Sequence, residues 1–266
     1  MLNYVFTELM DDSGLYVEAY SGRLRTDAKP ELCAMIDEKE CSDAEAAKIF
    51  RGLLEVACDE HGEQQLGASG GLRLEVAEHK AAVPPAGDDV EAPMPTFGVW
   101  QVGKSPEPSA LPQLLSAKLD LADRLSLRTV WPERAKWRVG SKPTGKEKPF
   151  RPHVGRYGLL VQQVTMEVHA DGADAFKRLW PDLGFRALTE PQLLRCDLLQ
   201  SVDDPRVFVA RKVFKFARAM EAHEASVHYS TWREAAAPLL KGEPAEAVLM
   251  DTHYPITWVV PFRTLW

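Results

Sequence analysis

The chain has 266 residues, of which 45% are hydrophobic and 27% charged, a composition that supports a packed core and excludes wholesale disorder or a fibrous repeat. A formal charge of -7 and a pI near 5.6 work against attraction to phosphate backbones or anionic lipid, so neither nucleic acid nor a membrane surface is an expected partner. No run reaches the ~20 apolar residues of a membrane helix, and the opening Met1-Leu2-Asn3-Tyr4 carries neither a basic region nor an apolar one, so no signal peptide is expected.

Tyr4 to Leu9 and Leu15 to Leu24 read as strands of a hairpin around Asp11-Asp12-Ser13-Gly14, with Leu15, Val17 and Ala19 alternating against Tyr16, Glu18 and Tyr20. Ser42 and Glu45 have capping-box spacing. The apolar stripe Ala46, Ile49, Phe50, Leu53, Leu54 and Ala57 then predicts an amphipathic helix ending near His61-Gly62. Leu72, Leu74 and Val76 predict the next strand after Gly70-Gly71. The glycine-rich run at 67–71 lacks the Lys-Ser/Thr terminus of a phosphate loop. Residues 1–80 thus form an α+β region, closed by a Pro-, Ala- and acid-rich linker at 81–96.

Residues 97–139 form a strand–helix segment: Phe97 to Val102 as the strand, then a helical face of Leu111, Leu114, Leu115, Lys118, Ala122 and Leu125, followed by Trp131 and Trp137. A second linker, basic and rich in Pro and Gly, covers 140–156. Residues 157–256 give the clearest pattern. Leu159 to Val168 alternates as a strand, Ala173 to Trp180 follows as a helix, and Leu193 to Ser201 with Arg206 to Phe216 forms a hairpin across Val202-Asp203-Asp204-Pro205. A helix runs from Ala217 to Leu240, Ala247 to Thr252 closes the unit as a strand, and 257–266 is a tail. The order β-α-β-β-α-β is the ferredoxin-like split unit. Strand–helix–strand order recurs in both halves and leaves room for a diverged second copy in the N-terminal region.

The four cysteines, Cys33, Cys41, Cys58 and Cys196, show no CxxC pair and no zinc-ligand spacing, so they read as free thiols in a reducing interior, cytoplasmic or organellar.

The run from Glu190 to Val209 (EPQLLRCDLLQSVDDPRVFV) and that from Met220 to Trp232 (MEAHEASVHYSTW) together resemble the antibiotic biosynthesis monooxygenase family. The first is similar to its second and third strands with an acidic Pro turn, the second to its helix with two histidines five apart. The resemblance implies a dimeric α+β barrel in which two four-stranded sheets face each other, as a homodimer or as an intrachain pseudodimer. The predicted contact face carries Leu198, Val207, Val209 and Val213. It further implies a cofactor-independent monooxygenase, or a related isomerase or cyclase, acting on an aromatic or quinone-like molecule. The alternative is a noncatalytic assembly module. A minor one, from the haem-cleaving relatives, is haem binding or degradation. Several family positions differ here: Lys212-Val213-Phe214 stands for Glu-Val-Trp, Gln192-Leu193 for Gly-Cys, Cys196 for Tyr and Val227 for Pro.

His228 is the candidate catalytic acid–base group, with Trp232, Tyr229 and Phe214 as aromatic walls and Lys212, Arg211 and His223 as substrate contacts. A titratable imidazole beside aromatic faces can hold a planar phenol while exchanging a proton near neutral pH, and the two cations suit an anionic or phenolic ligand. On one continuous helix His223 and His228 would lie about 140° apart, so they are not expected to share a ligand, and no metal is expected.

Overall fold

The computed structural model describes residues 16–61, 71–80, 94–103, 111, 113–131 and 159–254. The expected strand at 4–9, the turn at 11–14, the linker at 81–96 as far as residue 93, the whole linker at 140–156, Trp137 and the tail at 257–266 lie outside the described residues.

Eight strands close into one antiparallel barrel: β1 (Tyr16–Leu24), β2 (Gly71–His79), β3 (Thr96–Gly103), β4 (Leu119–Trp131), β5 (Leu160–Glu167), β6 (Leu193–Ser201), β7 (Val207–Phe214) and β8 (Val248–Tyr254). Their order around the barrel is β1-β3-β2-β8-β5-β7-β6-β4. The C-terminal half contributes β8-β5-β7-β6, which in terms of its own strands is the ferredoxin-like order 4-1-3-2. The N-terminal half contributes β4-β1-β3-β2, again 4-1-3-2. The halves join edge to edge, β2 to β8 and β4 to β6, both antiparallel. Closure thereby pairs both edges of each described strand within the chain. Both edges of β1 are taken, by β3 and β4, so the expected hairpin is not the pairing that β1 makes.

Helices cover the outside. In the N-terminal half these are α1 (Lys29–Ala34), α2 (Asp43–His61) and α3 (Gln113–Lys118). The capping box forms as read. Ser42 N donates to Glu45 Oε2 at 2.7 Å and Glu45 N donates to Ser42 Oγ at 3.2 Å, which fixes the start of α2. Ala46, Phe50 and Leu54 then bury against Val76, Phe97 and Val99 of the sheet, with Phe50 edge-on to Phe97 at 5.1 Å.

Four expectations are corrected here. The helix inferred through Leu125 ends at Lys118, and 119–131 is β4. Lys118, Ala122 and Leu125 satisfy a helical period, but Leu119, Leu121, Leu125 and Leu127 also serve a strand, and pairing with β1 along most of its length decides the matter. Cys33 and Cys41, expected as free thiols, form a disulfide with Cα atoms 5.7 Å apart, because the turn from α1 into α2 folds them together; Cys58 and Cys196 are buried and belong to no disulfide. The single helix from Ala217 to Leu240 is two, α5 (Ala217–Glu224) and α6 (Val227–Ala236), followed by a 3-10 turn at Ala237–Leu239. Ser226 adopts φ -74 and ψ 149, an extended conformation, and caps α6 by accepting from Tyr229 N. The remaining helix, α4 (Ala173–Ala187), runs seven residues past the expected end at Trp180 and contains Pro181.

Between the helix layers lies a third core, the barrel interior, where Val17, Ala19, Trp100, Val102 and Leu127 of the N-terminal half meet Val161, Leu199, Val209, Val213 and Met250 of the C-terminal half. The inner face of the C-terminal sheet is therefore covered by the other half of the same chain. Of the residues expected on it, Val209 and Val213 point inward as read, while Leu198 packs on the helix side, with Phe208 and Phe214.

The interior also holds charge. Glu75 of β2, 1% exposed, contacts Arg195 at 2.9 Å and Arg211 at 2.5 Å, and Arg195 also pairs with Asp197. The Arg211 guanidinium lies 4.4 Å from the centroid of Trp100. Gly98 makes room for that ring, since a Cβ there would overlap it.

Candidate functional site

On the outer face of the C-terminal sheet, under α5 and α6, one group of titratable side chains stands beside an aromatic cluster. Two turns of chain geometry assemble it. Glu190 sits in the turn from α4 to β6, where its N–H donates to Ala187 O at 3.0 Å. His223 lies in the last turn of α5 and His228 in the first turn of α6. Because the helix breaks at Ala225-Ser226, the 140° separation of a continuous helix does not apply, and the two imidazoles converge: His223 Nδ1 and His228 Nε2 each lie 2.7 Å from Glu190 Oε1. Ser226 Oγ donates to His223 O at 2.6 Å and lies 3.1 Å from His228 Nε2, so the residue that breaks the helix also braces both histidines.

A carboxylate only accepts, so both rings present an N–H to Glu190 in this arrangement. His223 is fully buried; burial, reinforced by the nearby Lys212 cation and opposed by Glu190, pushes its pKa down to about 4, which keeps the ring neutral. Its Nε2 has no hydrogen-bond partner among the described residues, and its ring lies 5.0 Å from Tyr229 and 5.7 Å from Phe214. Glu190 and His228 are each 19% exposed and so meet solvent.

Lys212 is buried, with its Nζ 4.3 Å from the Tyr229 ring centroid. Burial lowers its pKa, and Glu224 and Glu190 oppose that shift. Glu224 itself accepts from Gln162 Nε2 at 2.7 Å. Cys196, next to Lys212, is pushed up to about 12 by burial and stays a thiol. Trp232 meets Trp180 edge-on at 5.2 Å and Phe176 at 6.0 Å and stacks on Tyr229 at 6.0 Å.

The fold thus brings His228, His223, Tyr229, Phe214, Lys212 and Trp232 to one side of the sheet. Arg211 is not among them. It neighbours Lys212 in sequence and therefore faces the barrel interior, where Glu75 holds it; the expectation that both cations meet one ligand is corrected by strand alternation. Trp232 packs into the α4–α6 core more than it walls an opening. Glu190 was missed as a site residue, and the continuous helix that set the two histidines apart was assumed for the same reason: Ser226 had to be recognised as a cap. The local Ser-Val-His-Tyr run after Ala225 carries that signal. The ligating atoms of Glu190, His223 and His228 all lie within 4.8 Å of one another, an arrangement able to hold a metal ion.

Residues 159–235 match the model of the family described as antibiotic biosynthesis monooxygenase. The chain belongs to that family through this domain. A structure described as a candidate antibiotic biosynthesis monooxygenase from Nitrosomonas europaea is 30% identical, covering 41% of this chain and 98% of its own, with a TM-score of 0.36. Over nearly the whole chain the similarity is one of fold. A candidate monooxygenase from Fusobacterium nucleatum covers 90% of this chain and 92% of its own at 9% identity and a TM-score of 0.53. One from Lactobacillus acidophilus covers 90% and 93% at 10% identity and a TM-score of 0.52. No curated protein matches the chain. Among the described residues no helix is long and apolar enough to cross a membrane.

Proposed function

We propose that the chain is an enzyme of the antibiotic biosynthesis monooxygenase class, acting by oxygenation or a related isomerisation or cyclisation on an aromatic or quinone-like molecule. The observation that carries this reading is the pair formed by Glu190 and the partly exposed His228 at 2.7 Å. With Nε2–H donated to the carboxylate, His228 keeps Nδ1 free to accept a proton from a phenol or quinol, and Glu190 stabilises the imidazolium that forms. Tyr229 and Phe214 offer aromatic faces nearby, and Lys212 supplies a buried positive charge for a phenolate. Arg211 has no part in this.

A second reading, a noncatalytic module, draws support from the filled barrel interior and the packed position of Trp232. Under either reading we take the N-terminal half for a diverged second copy, because its strands follow the same 4-1-3-2 order. The pairing that a homodimer would supply is then made inside one chain.

Oxygen uptake and ligand binding with a panel of phenols and quinols test the first reading. His228→Ala should abolish turnover or binding while circular dichroism stays native. A variant that loses stability but binds and turns over as before would make His228 a structural residue, whereas wild-type protein that neither binds nor oxidises any member of the panel would support the module reading.

A further inference from the structure

The geometry of Glu190, His223 and His228 points to a site for one divalent first-row transition-metal ion of the Zn2+ or Co2+ kind. Two imidazole nitrogens and a carboxylate oxygen lie within 4.8 Å of one another. Both nitrogens already sit 2.7 Å from the same oxygen. Around a tetrahedral ion with bonds of about 2.0–2.2 Å the ligand atoms stand roughly 3.3–3.6 Å apart. The cluster therefore needs the carboxylate to withdraw by about 1 Å or less and the two imidazole nitrogens, within 4.8 Å of each other, to close by up to about 1.5 Å, movements within the reach of side-chain rotation.

The donor set chooses the ion. Nitrogen with one carboxylate suits Zn2+, Co2+, Ni2+ or Fe2+, whereas Mg2+ and Ca2+ require oxygen shells that these residues do not offer. Three protein donors leave at least one coordination position open, and the 19% exposure of Glu190 and His228 gives an ion a way in.

His223 supplies an independent argument. With its proton on Nδ1, its buried Nε2 lone pair has no partner among the described residues and lies among aromatic rings, with Tyr229 at 5.0 Å and Phe214 at 5.7 Å. When a cation takes Nδ1, the proton moves to Nε2, where an N–H suits an aromatic face better than a lone pair does. Lys212 opposes a cation here; Glu224, whose carboxylate acts on Lys212 together with Glu190, offsets it.

Ion binding and proton transfer at His228 are alternative states of one cluster, so a bound ion inhibits the chemistry proposed above. The two claims are tested apart, because ion binding is read without any substrate. Full-length protein freed of metal with a chelator is titrated with Co2+, followed by visible absorption, and with Zn2+ by calorimetry. The expected result is one ion per chain. Glu190→Gln and His228→Ala, both at partly exposed positions, should each weaken Co2+ binding by more than about 100-fold, the upper end of what losing a ligand's hydrogen-bond partner costs, with circular dichroism unchanged. Wild-type protein that takes up no ion would overturn the proposal. So would an ion that both variants retain with wild-type affinity, since it would then lie elsewhere.

Discussion

Replacing Glu75 by Gln removes one negative charge from the barrel interior and almost no volume. Glu75 is 1% exposed and is shared by Arg195 at 2.9 Å and Arg211 at 2.5 Å, and Arg211 itself is 3% exposed. After the change, Arg195 and Arg211 both lose the carboxylate they contact, and the positive charge it offset stays buried. Breaking a buried pair in this way costs about 3–5 kcal/mol, whereas an exposed pair is worth about 0–1 kcal/mol. At about 2–4 °C per kcal/mol for a chain of this size, the thermal midpoint should fall by roughly 6–20 °C. Urea unfolding should show the same loss as a lower midpoint with an unchanged slope. Glu75→Leu combined with Arg211→Met, which removes both members of one pair and keeps the interior filled, should recover most of it. A loss below about 1 kcal/mol for Glu75→Gln would refute the argument, because it would mean that water reaches these groups and that they do not tie the two halves together.

Two further outcomes follow from the C-terminal half. His223 titrates near 6.5 when unfolded and near about 4 when folded, because burial disfavours its charged form. The unfolded chain therefore binds the proton more readily, so stability is complete above about pH 6.5 and declines as the pH falls toward 4. Urea midpoints measured across that window should show the decline in wild type and a shallower one in His223→Gln; equal slopes would contradict it. Ser226→Ala removes the cap of α6 and should cost about 1 kcal/mol in urea unfolding. The same change should alter the His228 ring resonances in NMR, since Ser226 Oγ lies 3.1 Å from that ring, and unchanged resonances would separate the cap from the site.

The parts of the fold that were legible in the sequence were those where one local signal acts alone. Period-two alternation marked β1, β2 and β5, the Asp203-Asp204-Pro205 turn marked the β6–β7 hairpin, and the Ser42–Glu45 pair marked the start of α2 within a residue. Competing signals were harder to separate. Residues 118–125 fit both periods, and only long-range pairing with β1 resolves them. Proximity across a turn also leaves little trace in spacing, which is why Cys33 and Cys41 read as independent thiols. Most of the site residues were visible as types, because His, Tyr, Trp and Lys stand out in a strand and helix of known resemblance. Their grouping was not. It depends on a single extended residue, Ser226, that turns two histidines toward one carboxylate, and on strand alternation that sends Arg211 to the opposite side from Lys212.

Because β2 meets β8 and β4 meets β6 inside one polypeptide, the halves find each other at a local concentration fixed by the chain and not by how much protein is present. A barrel assembled from two separate subunits comes apart on dilution, and its stability rises and falls with protomer concentration. This one should unfold at the same temperature at nanomolar and micromolar levels. The covalent link also lifts a constraint. In a twofold dimer each substitution appears on both sides of the interface, whereas here Glu75 can serve as the acid for Arg195 and Arg211 with no requirement that the reverse contact exist. One half is thus free to keep a cluster of histidines that the other need not carry.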